Sequence, residues 1–202
     1  SRIVLDDIRE RTGATIVVEN KSGALGAIGL SEVLAAPADG YTMMPSSSAT
    51  HSSGPSLSKA LQRLDPLKNT AHVARWVRFG VAVVARTSGP YKTAEALVSA
   101  GRRSGDSLTY GYGSGTGQVG AAAFAKATGM HVRSIPYKGQ PPAITDLLGG
   151  QIDFVAADVG VLLPFLKQGS LSALAVLSDK RSTLLPKVPT AAELGYHGAV
   201  LE

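Results

Sequence analysis

Apolar residues along this chain fall into short runs separated by Gly-, Pro- and Ser-rich stretches, and the runs follow two different periods. The clearest example is 134–160. Ser134–Tyr137 is a short apolar run, broken by Lys138 and Gly139. Pro141 and Pro142 follow, and proline suits a first helical turn because its missing N–H would find no partner there. Ala143, Ile144, Leu147 and Leu148 then recur at helical spacing, and Gly149–Gly150 supplies a stop. Gln151–Asp158 is apolar enough for a strand buried on both faces. The pattern predicts strand, loop, helix and strand, one crossover of a parallel sheet.

The same reading extends along the chain. Ser1–Arg11 has Ile3, Val4 and Ile8 on one helical face, and Gly13 stops it. Thr15–Glu19 and Thr42–Pro45 read as strands, and Asn20–Gly29 as a turn into a helix over Leu30–Ala36. Val73–Val77 and Phe79–Ala85 are apolar runs. The second is a strong buried strand, expected to lead from one lobe to the next, with Ser88-Gly89-Pro90 as linker. Helices are expected over Thr93–Ser99, Val119–Thr128 and Gly160–Lys167, with Pro164 interrupting or starting the last. Strands are expected over Ser107–Gly113 and Leu171–Leu177. Thr190–Leu194 reads as a short helix, because Thr190 and Glu193 have the spacing of a capping box. Strands alternating with helices make the class α/β.

Composition narrows the function. A chain of 202 residues, 44% hydrophobic and 17% charged, can build one large domain or two small lobes. No run nears the roughly 18 apolar residues of a membrane span, so direct membrane insertion is not expected. The start, SRIVLDDIRE, has no apolar leader core, so a secreted protein would be present here in processed or trimmed form. With no cysteine there is no disulfide or thiolate chemistry. The net charge of +5 is uneven: residues 41–138 hold 12 basic and 3 acidic groups. A basic middle attracts anions. Nucleic acid is disfavoured, because aromatic residues make up only 5% and no nucleic-acid motif is present.

Three stretches carry candidate chemistry. Gly23, Gly26 and Gly29 lack the spacing of a dinucleotide fingerprint, which leaves a backbone cradle for a carboxylate at Gly26 and Ala27, or a tight packing turn. Ser46–Ser53 has six hydroxylic residues in eight. Among these, Ser47, Ser48 and Thr50 can donate to an oxyanion, cap a helix or simply line a solvated loop. His51 is the one residue there able to act as a general base, without a nucleophile elbow beside it. The third stretch, Gly113–Gln118, joins a strand to a helix and places Ser114, Thr116 and Gln118 at the crossover. Asp158 ends a buried strand, where ligands of α/β sheets gather, and there it can order a donor or accept from a ligand hydroxyl or amine. No cofactor, metal set or catalytic constellation is expected.

PYKGQPPAITDLLGGQIDF, IVVENKSGALGAIG, ADGYTMMPSSSATHSSGPSL and LSALAVLSDKRSTLLPKVPTAAELGY together resemble, in order, blocks of the Bug-type (TctC-like) solute-binding proteins, the periplasmic receptors of tripartite tricarboxylate transporters. The resemblance runs from about Arg2 to Tyr196. It implies two Rossmann-like lobes of the type II periplasmic-binding-protein kind, 1–85 and 86–202. It also implies capture of a small carboxylate in a cleft between them, delivery to membrane transporter subunits, and no covalent chemistry. Gly26, Ala27, Ser47, Ser48, Thr50, His51, Ser114, Thr116, Gln118 and Asp158 are the expected ligand-binding residues. Between Tyr110 and Phe124 the chain is two residues shorter than the family pattern, and Gln118 stands where the family has His. Against that pattern the chain is truncated at both ends, leaving the first lobe incomplete. The alternatives are a hydrolytic enzyme using His51 with Asp158 or a serine, and the ligand-sensing domain of a regulator; turnover separates enzyme from receptor.

Overall fold

A computed structural model describes residues 2–21, 23–76, 80–103, 105 and 107–201, apart from the side chains of 48 and 49. The chain divides into two compact units, Ser1–His72 and Val73–Glu202.

Unit 1 is helical among the described residues: α1 (Arg2–Thr12), α2 (Ala27–Ala35), and the short α3 (Ser48–His51), α4 (Gly54–Leu57), α5 (Lys59–Leu64) and α6 (Pro66–Asn69). Gly13 ends α1 at φ +68°, the left-handed conformation that glycine adopts without strain. Ala27, Leu30 and Leu61 form a small core, edged by Leu34, Met44 and Leu64. The strands expected at Thr15–Glu19 and Thr42–Pro45 are not formed; both segments lie outside any ladder. Ile16 and Val18 are half-buried and Val17 is 79% exposed, so the period of two is present. Alternation makes a strand only when neighbouring backbone completes its hydrogen bonds.

Unit 2 carries a five-stranded sheet. Its elements are β1 (Val81–Arg86), α7 (Ala94–Arg103), β2 (Leu108–Tyr112), α8 (Gly115–Thr128), β3 (Val132–Pro136), α9 (Gln140–Gly149), β4 (Phe154–Asp158), α10 (Val159–Lys167) and β5 (Leu171–Val176). The strand order is β3-β2-β4-β1-β5. β2 is parallel to both β3 and β4, whereas β1 is antiparallel to β4 and β5. The crossover read from 134–160 is therefore real, but β2 lies between its two strands. The strand expected to close the first lobe is β1, in the interior of this sheet. Ser88–Pro90 is a turn inside unit 2, where the Gly89 N–H donates to Arg86 O at 3.0 Å.

β1 explains its own sequence. Val81, Val83 and Ala85 face a core with Leu97, Val98 and Phe124, while Ala82 and Val84 face one with Ile144, Leu147 and Leu162. Alternate residues point to opposite faces, and helices cover both, so the strand is apolar from Val81 to Ala85. Fully burying each valine contributes about 1.5–3 kcal/mol. α8 lies close on β4, since a Cβ at Gly117 would stand 2.6 Å from Ala156 O.

Thr190 and Glu193 form both hydrogen bonds of a capping box, at 2.8 and 3.0 Å. The backbone there is a turn rather than a helix, because Thr190 is held in a parallel bridge to Val176 and Gly195 takes φ +82°.

Candidate functional site

β2, β3 and β4 point the same way, so the loops into α8, α9 and α10 emerge at one edge of the sheet, the edge where ligands of α/β folds gather. The first two loops approach more closely than any side chain would allow. A Cβ at Gly113 would lie 1.9 Å from Gly139 C and O.

Four side chains meet at this edge. Ser114 caps α8, its Oγ accepting from the Gly117 N–H at 3.1 Å. Gln140, first residue of α9, donates through Nε2 to Ser114 Oγ at 3.0 Å and to Asp158 Oδ2 at 2.7 Å. Thr116 Oγ1 lies 3.1 Å from Ser114 Oγ and donates to Asp158 Oδ1 at 3.5 Å. Gln140 Oε1 is buried and has no hydrogen-bond partner. All four residues are half-buried.

The expected residues Ser114, Thr116 and Asp158 thus come together. Gln118 stands half-buried further along α8, outside this net. Gln140 was missed by the sequence reading, which saw in this segment only a proline-started helix. The available signal was its place at the start of a helix leaving the same sheet edge. Behind it, Tyr137 Oη donates to Asp146 Oδ2 at 2.7 Å. Burial and then that carboxylate push the phenol up to about 12, so it remains a donor and ties the loop to α9.

The three helix starts differ in what their backbones can offer. In α9, Pro141 and Pro142 have no N–H. In α10, the Val159 N–H is taken by Gly80 O at 2.9 Å. In α8, Gly115 and Thr116 stand in the first turn, where no carbonyl lies four residues back within the helix. The positive end of the helix dipole also lies there.

In unit 1, Gly26, Ala27, Ser47, Thr50 and His51 are gathered locally. Gly26 precedes α2 at φ +92°, and a Cβ on it would stand 2.5 Å from Thr50 Cγ2. Thr50 Oγ1 donates to Ser47 O at 3.0 Å and accepts from Ser47 N–H at 3.1 Å. Ser48 opens α3, and its side chain lies outside the described residues. His51 is 6% exposed, with Nδ1 2.8 Å from Thr50 Oγ1 and Nε2 3.3 Å from Thr70 Oγ1. Burial, then the His72 ring at 5.3 Å, pushes its pKa below the ordinary value. A histidine with both ring nitrogens on threonine hydroxyls is held as a structural residue.

An open cavity of about 440 Å³ lies elsewhere. It is lined by Arg86, Thr87, Ser88, Leu148, Gly169 and Ser170. Arg86 is the far end of β1 from Val81, which pairs with Asp158, so this cavity opens at the opposite sheet edge. Among the described residues no cluster of His, Asp or Glu is placed to hold a metal, and no helix is long and apolar enough to cross a membrane.

The family model described as the tripartite tricarboxylate transporter family receptor matches residues 1–202. Protein BugT of Bordetella pertussis is 32% identical over 204 residues, covering 97% of this chain and 61% of that protein. MatC of Rhodopseudomonas palustris with bound malate is 26% identical with a TM-score of 0.88, over 99% of this chain and 68% of that one. An R. palustris protein with adipate is also 26% identical, with a TM-score of 0.82, over 99% and 67%. The chain spans about three fifths of the length of the curated relatives it matches over nearly all its own length.

Proposed function

Since the chain belongs to the tripartite tricarboxylate transporter receptor family, we propose that it acts as a periplasmic receptor, capturing a small carboxylate for the membrane subunits of such a transporter. The observation that carries this reading is the start of α8. It offers first-turn N–H groups at Gly115 and Thr116, on the sheet edge where three loops converge. Backbone donors there are fixed by the fold and bind a carboxylate without being reoriented. The start of α2 in unit 1 differs, because the Gly26 N–H donates to Gly23 O at 2.9 Å and the Ala27 N–H to Ala24 O. Similar structures hold malate in one case and adipate in another, which supports a dicarboxylic acid as ligand.

The reading is one of binding without turnover. His51, the candidate base, is occupied by Thr50 and Thr70. A titration calorimetry panel of mono- and dicarboxylates, neutral sugars and amides tests the proposal. Saturable heat with acids alone, and acid recovered unchanged, is the expected result. Tight binding of a sugar, or consumption of the acid, contradicts it.

A further inference from the structure

The four side chains at the sheet edge have a hydrogen inventory that can be followed to its end. Gln140 Nε2 has two hydrogens, and they point to Ser114 Oγ and Asp158 Oδ2. The orientation of that amide is set by Asp158, because a carboxylate only accepts. Ser114 Oγ accepts from Gln140 and from the Gly117 N–H, which fills both its lone pairs. Its single hydrogen therefore goes to Thr116 Oγ1, 3.1 Å away. Thr116, having accepted, sends its own hydrogen to Asp158 Oδ1 at 3.5 Å. Every polar hydrogen of these side chains is thus directed within the cluster, and all chains of donation end on Asp158.

What remains is acceptor capacity. The bond to Asp158 Oδ1 is long and weak, and Asp158 is half-buried rather than sealed. Gln140 Oε1 is an acceptor with no donor at all, and a buried acceptor left unpaired is costly. Such a surface repels a carboxylate and takes a donor. We infer that Ser114, Thr116, Gln140 and Asp158 receive a hydrogen-bond donor of the ligand, a hydroxyl or ammonium group, and not its carboxylate. The ligand class is then a hydroxy or amino acid whose carboxylate lies on the α8 backbone while its donor reaches Asp158. This rests on the receptor reading above and makes it narrower: an unsubstituted dicarboxylate such as adipate would lack the group that the cluster selects.

The test is calorimetry at pH 7.5 with succinate, malate and aspartate, which share one carbon skeleton and differ in one substituent. Malate, aspartate or both should bind on the order of tenfold more tightly than succinate, the scale of one hydrogen bond to a charged acceptor. Malate alone assigns a hydroxyl, and aspartate alone an ammonium. In Asp158→Asn, with folding checked by thermal melting, the advantage over succinate should shrink toward one while succinate itself binds more tightly. A purely structural Asp158 would instead weaken all three acids alike. Equal affinity for all three in the parent protein overturns the inference and leaves the receptor reading standing. An advantage unchanged in Asp158→Asn also overturns it. No binding of any acid overturns both.

Discussion

The hydroxyl cluster of unit 1 and that of unit 2 use the same residue types and differ in how far along the chain they reach. In unit 1, Ser47, Thr50 and His51 bond within four residues of one another, and His51 also reaches Thr70 across 19 residues. In unit 2, Gln140 bonds Ser114 across 26 residues and Asp158 across 18, and Thr116 reaches Asp158 across 42. A cluster of neighbours satisfies itself and stabilises a turn. A cluster assembled from three crossovers exists because a sheet aligns its loops, and it collects an uncompensated acceptor where a ligand can supply the donor. Hydroxyl density marks both places. Only the sheet-built one has the makings of a recognition site.

The comparison breaks most readily at the sheet. Phe154 is fully buried in β4. Phe154→Ala should cost about 3–5 kcal/mol in chemical denaturation and, at temperatures where it unfolds unit 2, abolish acid binding. A loss under about 1 kcal/mol, set against that range, would mean that the strand does not anchor the cluster. Gly113→Ala comes next. Its Cβ must displace Gly139, so it should cost about 1–3 kcal/mol and weaken acid binding in excess of any unfolding. An unchanged dissociation constant would separate the two loops from recognition. Ser114→Ala removes a helix cap, at about 0.5–2 kcal/mol, and also sets one Gln140 hydrogen free; a denaturation midpoint equal to the parent's would contradict the cap.

The smallest effect belongs to His51. Its folded pKa lies below the ordinary 6.5, so between those two values the unfolded chain binds more protons than the folded one. Its contribution to stability is complete above about pH 6.5 and is lost as pH falls through that window. The melting temperature of the parent should therefore fall more between pH 7.5 and 5 than that of His51→Gln. Parallel curves would show that His51 titrates alike in both states.

Much of unit 2 was legible because its signals are local. Valines and alanines without a polar break mark a strand covered on both faces, and β1 is one. Prolines 141 and 142 and Gly150 at φ +76° bracket α9 where the pattern placed it. What stayed hidden depends on neighbours. Periodicity tells which residues are buried but not which strand lies alongside, so the place of β1 between β4 and β5, running against both, could not be read. Ile16 and Val18 alternate correctly and still make no strand without a ladder. Ser114, Thr116 and Asp158 were visible as residues at strand ends. Gln140 was not, because its importance lies in two partners that are distant in sequence.

The central claim is that the acid lies on the backbone at the start of α8, and amide chemical shifts measured during titration with malate or succinate address it directly. The Gly115 and Thr116 N–H signals should move in a saturable way with the acid and stay still with a neutral sugar. Saturable binding that leaves both signals unmoved would place the carboxylate elsewhere and contradict the account.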